Sequence, residues 1–147
     1  MPIQLNHTIV NATDKKVSAA HLADLFGVEV QPPFGPFLPV VLSNDVALDY
    51  LNKEDRSGPG LEDAAALPIE SQHYAFLVSE EEFTAIFGRI QEAGIPYYAD
   101  PARKEQGRIN HHDGGRGVYW LDPDGHVMEI LTVPYGGDVE GRELPGR

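Results

Sequence analysis

The 147-residue chain carries 23 acidic and 11 basic residues, and its net charge of −12 argues against nucleic acid and acidic membrane surfaces as partners. Its 41% hydrophobic residues are enough for one domain, or for two small halves that share a core. The absence of cysteine leaves histidine and carboxylate side chains as the metal ligands. No apolar run reaches the roughly 20 residues of a bilayer span, and the first residues lack the pattern of a signal peptide. We therefore expect a compact cytoplasmic protein.

The first half of the chain predicts strands around a single helix. Residues 3–10 alternate in polarity, and His7 falls on the same strand face as the apolar side chains. A helix is predicted from Asp14 to Phe26, and Gly27 is a typical helix stop. The strands predicted after the helix are residues 28–31, 37–42 and 46–51, of which the last two form a hairpin. The order of elements over residues 1–52 is thus βαβββ.

The second half repeats this order after a break. Residues 53–71 are rich in charge, glycine, proline and alanine without a clear period, which is typical of a linker. A strand then follows with His73 on one face, and Ser79 is placed to cap a second amphipathic helix. When His7 is superposed on His73, the two helices also superpose. We predict a first module at residues 1–52, a second at 72–135 and a mobile tail at 136–147.

The candidate functional residues are densest in Asn110 to Glu129, with the sequence NHHDGGRGVYWLDPDGHVME. The DPDG motif predicts a tight turn between two strands, and a three-residue loop closed by a glycine bulge sets Tyr119 directly opposite Glu129. Directly opposed side chains on one sheet face are about 5 Å apart at their β-carbons. A glutamate with apolar neighbours is costly to bury unless it is paired or metal-bound. We therefore predict a site at Tyr119 and Glu129, with Trp120 in the core and His126 on the surface.

From Ile3 to Val133 the chain resembles the vicinal oxygen chelate superfamily, which includes glyoxalase I, bleomycin-resistance proteins, fosfomycin-resistance thiol transferases and type I extradiol dioxygenases. The resemblance implies an α+β fold of two βαβββ modules, whose mixed, strongly curved sheets form a metal-binding cavity. It also implies that the metal ligands are His7, His73 and Glu129. Superposing the two hairpins sets Asp49 on Glu129, so Asp49 is a candidate fourth ligand. Two imidazoles and one carboxylate leave coordination positions open for a small-molecule substrate.

The segment NHH, followed by VY, DPDG and Glu129, resembles the extradiol dioxygenase signature. This resemblance implies Fe²⁺ or Mn²⁺, a catechol-like substrate, Tyr119 as a hydrogen-bond donor to substrate, and His112 as a histidine near the reacting groups. Ring-cleaving members also carry a histidine on the strand after the second helix, whereas residues 95–104 contain none. His111 is the candidate replacement. Arg108 and Arg116 are candidate partners of a substrate carboxylate.

Other functions remain open at the level of sequence. Zn²⁺ or Ni²⁺ with Asp49 as a fourth ligand would suit a glyoxalase-like isomerase. The QHYAF and LDPDGH segments resemble fosfomycin-modifying thiol transferases, although Ile9 stands where those enzymes have a threonine. A metal-free, drug-sequestering binding protein is the non-enzymatic alternative.

The resemblance also bears on assembly. Relatives with two such modules in one chain often form a symmetric homodimer and build each site across the subunit boundary. This arrangement implies that His7 of one protomer joins His73 and Glu129 of its partner.

Overall fold

A computed structural model describes residues 2–137, which contain two α-helices and seven strands. The chain divides into two compact units, Met1–Ser71 with Asp122–Gly125, and Gln72–Leu121 with His126–Arg147. Among the described residues, neither helix is both long and apolar enough to cross a bilayer.

The first unit packs one helix against a three-stranded sheet. Its elements are β1 (His7–Ala12), α1 (Lys15–Phe26), β2 (Leu38–Val41) and β3 (Ala47–Asn52). The strand order is β1-β3-β2, with β1 parallel and β2 antiparallel to β3. As predicted, Asp14 caps α1 by accepting the Lys16 N–H, and Gly27 ends the helix at φ 70°. Val10 and Ala12 are buried on one face of β1, whereas His7 and Ile9 are exposed on the other.

The strand predicted at residues 28–31 is wrong. This described segment forms no ladder, and its contact with β2 is the bond from the Gln31 N–H to the Pro39 carbonyl, 2.9 Å. Pro32 and Pro33 follow immediately and have no N–H to donate, so the pairing cannot continue.

The second unit packs its helix against a four-stranded sheet. Its elements are β4 (His73–Leu77), α2 (Glu80–Glu92), β5 (Tyr97–Tyr98), β6 (Gly117–Leu121) and β7 (Val127–Leu131). The strand order is β4-β7-β6-β5, in which the β4–β7 pair is parallel and the other pairs are antiparallel. Ser79 and Glu82 form a reciprocal capping box at the start of α2. Two helices on two mixed sheets confirm the predicted α+β class.

The segment between the modules is organised by one arginine. After a short 3₁₀ helix, Lys53–Asp55, the guanidinium of Arg56 donates to the carbonyls of Ala64 and Leu67, at 2.8 and 3.0 Å. Of the predicted tail, Gly136 and Gly137 are described, and residues 138–147 lie outside the described residues.

The turn after β6, Asp122–Gly125, belongs to the first unit. Within that unit, the turn's main polar contacts are made by the Asp124 side chain. One carboxylate oxygen of Asp124 accepts the Thr13 N–H at 2.9 Å, and the other accepts the Ser18 hydroxyl at 2.7 Å. Ser18 is buried in α1, so its hydroxyl depends on this partner. The Asp124 carboxylate therefore holds the start of α1 from a position more than a hundred residues later in the chain.

Asp124→Ala should lower the free energy of unfolding by about 2 kcal/mol, because it removes two hydrogen bonds to a charged acceptor and leaves a buried hydroxyl unpaired. Asp124→Asn should lose less, because the amide keeps one acceptor oxygen. Urea unfolding followed by circular dichroism would measure both variants. Asp63→Ala, at an exposed surface aspartate, is the matched control. Equal stability of Asp124→Ala and this control would contradict the role of Asp124.

Candidate metal centre

Glu129 lies in the middle of β7, between β4 and β6, and its side chain is 1% exposed. The predicted register is confirmed, since Tyr119 of β6 pairs directly with Glu129. The turn has the geometry that this register requires, with the Gly125 N–H bonded to the Asp122 carbonyl and Gly125 at φ 84°. The sequence thus places a carboxylate in the interior of the sheet.

The ring of His73 faces this carboxylate with a defined tautomer. Its Nδ1 lies 2.9 Å from the Val127 carbonyl oxygen, which can only accept a hydrogen bond, so Nδ1 carries the proton. The neutral ring then has its lone pair on Nε2, which lies 3.1 Å from Glu129 Oε1. Two acceptors at this distance need a proton or a metal cation between them.

The pair fits two neighbouring ligands of a divalent ion. Imidazole nitrogen and carboxylate oxygen bind such metals at about 2.0–2.2 Å, and two ligands at a right angle are then about 3 Å apart. The observed 3.1 Å agrees with that value. The carbonyl bonded to His73 Nδ1 is also the kind of outer contact that orients metal-binding histidines.

Two tyrosines complete the surroundings of Glu129. Tyr119 is buried and stacks on the His73 ring, with centroids 6.0 Å apart. The Tyr135 hydroxyl donates to Glu129 Oε2, so the Tyr119 hydroxyl, 2.8 Å away, donates to Tyr135. Burial, this hydrogen bond and the Glu129 charge raise the pKa of Tyr119 well above its usual value. Tyr119 therefore keeps its proton at neutral pH.

The remaining predicted ligands lie in the first unit. His7 is exposed at the start of β1, and its Nδ1 is 2.7 Å from the side-chain oxygen of Asn6. His7 and half-buried Asp49 both line a cleft of about 380 Å³, together with Asn6, Ile9, Phe34, Phe37 and Ala47. Among residues 2–137, no three histidine or acidic side chains are grouped closely enough to hold a metal ion. Of the predicted set, the structure brings together His73 and Glu129.

No family model matches the chain, but similar proteins are known. The solved structure named "Oxidase ChaP-H2" is 56% identical, covers 93% of this chain and 98% of that chain, and superposes with a TM-score of 0.82. The chain belongs to the vicinal oxygen chelate superfamily. Glutathione transferase FosA of Serratia marcescens is 26% identical over 133 residues, or 86% of this chain and 78% of that protein. Metallothiol transferase FosB of Shouchella clausii (strain KSM-K16) is 37% identical over 60 residues, or 41% of this chain and 37% of that protein.

The glycine-rich loop before β6 holds the other candidates. His111 and Arg108 are exposed, and exposed His112 begins a 3₁₀ helix, His112–Gly114. The guanidinium of Arg116 donates to Glu80 Oε2 at 2.7 Å and to Thr84 Oγ1 at 2.9 Å. The Arg116 guanidinium is thus already hydrogen-bonded to residues at the start of α2. A role at the substrate stays a prediction for these two arginines and two histidines.

The surface position predicted for His126 is wrong, because its side chain is fully buried. Its Nδ1 accepts the Gln72 N–H at 3.0 Å, and the Tyr74 ring contacts it edge-on at 5.8 Å between centroids. The residues that lead into β4 pair with the chain next to the β6–β7 turn and cover the His126 ring. His126 therefore stabilises the strand start.

Glu129→Gln should abolish tight metal binding without weakening the fold. In the metal-free protein the new amide can donate to His73 Nε2 and still accept from Tyr135, and the cost of burying a charge disappears. Measured in excess chelator, the urea midpoint should match or exceed that of the wild type, while Mn²⁺ affinity falls at least 10-fold. Unchanged Mn²⁺ affinity would exclude Glu129 as a ligand.

Proposed function

We propose that this chain is a divalent-metal-dependent oxygenase that acts on a small molecule with two adjacent oxygen atoms. The observation that carries the proposal is the His73–Glu129 pair, whose Nε2 and Oε1 atoms lie 3.1 Å apart, the separation of two neighbouring ligands of one metal ion. Similarity to a structure named as an oxidase, at 56% identity over nearly all of both chains, supports oxidation over isomerisation.

The metal would be held by His73 Nε2 and Glu129 Oε1, with His7 as the proposed third ligand and Asp49 as a candidate fourth. Two imidazoles and one carboxylate suit Fe²⁺ or Mn²⁺ as well as Zn²⁺ or Ni²⁺, and the similarity to a structure named as an oxidase favours the redox-active Fe²⁺ or Mn²⁺. The name of the relative FosB, a metallothiol transferase, supports a divalent metal in general. When bound, the ion supplies Lewis acidity and the one-electron chemistry that reaction with dioxygen requires.

Tyr119 is the proposed hydrogen-bond donor to the substrate. Its raised pKa keeps the hydroxyl protonated, and its ring lies against His73, beside the proposed metal position. In the structure the Tyr119 hydroxyl donates its hydrogen bond to the Tyr135 oxygen. A bound substrate oxygen would accept this hydrogen bond instead. His112, and His111 as the candidate replacement for the missing strand histidine, are proposed for proton transfer to or from the substrate.

A thiol transferase is the second candidate function. Both curated relatives are named as transferases, and the FosA similarity extends over 86% of this chain. The presence of Ile9 where those enzymes have a threonine argues against this activity. The same metal ligands would serve either reaction, so only turnover distinguishes the two.

A homodimer is proposed to complete each site, with His7 of one protomer joining His73 and Glu129 of its partner. Apolar side chains at and before the start of β1 support a partner surface beside His7. Ile3 is fully exposed, and Leu5 and Ile9 are 67% and 45% exposed. A contiguous group of exposed apolar side chains often marks a protein–protein interface.

Protein purified without added metal should contain about one Fe²⁺ or Mn²⁺ per chain and consume dioxygen with a panel of catechols. Metal analysis and an oxygen electrode would measure both quantities. Tyr119→Phe should keep the metal and lose about 100-fold in kcat/KM, the loss typical when one hydrogen bond to a reacting oxygen is removed. Glutathione consumption without oxygen uptake would support the transferase instead, and protein without metal would support a binding module.

Mixing His7→Ala protein with Glu129→Ala protein should restore about one intact site in each mixed dimer. Neither parent should bind Mn²⁺ tightly, because each lacks a ligand in both sites. Subunit exchange would be verified by mass spectrometry with one parent isotopically labelled. An exchanged mixture as inactive as its parents would exclude a site shared between protomers.

A further inference from the structure

The two carboxylate oxygens of Glu129 have different partners. Oε1 faces His73 Nε2, and Oε2 accepts the hydroxyl of Tyr135. Because Glu129 is 1% exposed, water cannot readily replace either contact. Tyr135 itself lies beyond the end of β7 and is 39% exposed, so its ring is only partly covered while its hydroxyl reaches a buried oxygen.

We propose that Tyr135 is a positioning residue that holds Glu129 Oε2, so that Oε1 alone is presented to the metal. This inference rests on the proposed metal site. A carboxylate without this contact can rotate and bind an ion through both oxygens. A hydrogen bond to an ionised oxygen opposes that rotation. Contacts of this kind typically change metal affinity 10- to 100-fold.

The same hydroxyl also orients Tyr119. Tyr135 donates its only proton to Glu129, so it offers an acceptor lone pair to Tyr119, 2.8 Å away. Tyr119 donates to Tyr135, and Tyr135 donates to Glu129. If a substrate oxygen accepts the Tyr119 hydrogen bond instead, the Tyr135 hydroxyl still donates to Glu129 Oε2.

The segment that carries Tyr135, residues 132–137, is held by the loop that precedes β6. Asp113 Oδ2 accepts the Gly136 N–H at 3.0 Å, and the Gly137 N–H closes a turn on the Pro134 carbonyl at 2.8 Å. Gly115 packs so closely that an added β-carbon would lie 2.6 Å from Thr132 Oγ1. Asp113 thus acts on Glu129 through the position of Tyr135.

Tyr135→Phe removes only the hydroxyl and should weaken Mn²⁺ binding 10- to 100-fold. Electron paramagnetic resonance of Mn²⁺ would count the free ion during titration and record the spectrum of the bound ion. That spectrum should change, because the freed Oε2 alters the coordination, which a general loss of stability would not do. Tyr97→Phe, whose hydroxyl lies 3.4 Å from Gln91, is the matched control and should bind as the wild type does.

A second variant tests the route through residues 132–137. Asp113→Ala should weaken Mn²⁺ binding by a smaller factor in the wild-type background and have no further effect when Tyr135→Phe is present. Asp100→Ala is its control, because Asp100 also accepts backbone N–H groups, from Lys104 and Glu105, in another loop. Additive losses in the double variant would show that Asp113 acts independently of Tyr135 and would overturn this route.

The outcomes separate this inference from the proposed function. If the wild type binds Mn²⁺ and Tyr135→Phe binds it equally well with the same spectrum, the positioning role is wrong and the metal site stands. If the wild type binds no divalent ion, the proposed function fails and the positioning role fails with it. Melting curves in chelator identify variants that have lost the fold. If Tyr135→Phe is one of them, the single variant Asp113→Ala decides, and Mn²⁺ affinity and spectrum equal to those of the wild type would overturn the positioning role.

Discussion

The buried carboxylate of Glu129 is the constraint on which the second unit depends. A charged group in the central part of β7 is costly unless all of its lone pairs have partners. Here the partners come from three separate segments, through His73, Tyr135 and, behind it, Tyr119. The parallel pairing of β4 with β7 and the antiparallel pairing of β6 bring the first and last of these to one face. The sheet topology therefore supplies two of the three side chains that surround this carboxylate.

Local chemistry explains what the sequence alone could predict. Helix α1 has its aspartate cap and glycine stop, α2 has its serine cap, and the hairpin register follows from turn residues that are adjacent in the chain. The two failures have different causes. The two prolines after residue 31 prevent a ladder that the apolar pattern favours. His126 is buried because β4 begins beside it, a pairing across more than fifty residues.

Tyr135 could not be assigned from periodicity, because it follows β7 in a turn where no strand pattern applies. Its position depends on a backbone N–H bonded by Asp113 and on a glycine without a side chain at residue 115. The NHHDGG segment drew attention because of its histidines. In the structure, Asp113 and Gly115 of this segment contact residues 132–136, whereas His111 and His112 are exposed. The contacts that fix residues 132–136 thus come from residues that no catalytic motif marks.

The inclusion of Asp122–Gly125 in the first unit has a consequence for the order of folding. During synthesis, residues 1–71 leave the ribosome well before Asp124 does, so the buried Ser18 hydroxyl must wait for its acceptor. Contacts that span 106 and 111 residues raise the contact order, which slows folding and delays its completion. The first unit to be translated therefore reaches its final state only when most of the second has been made.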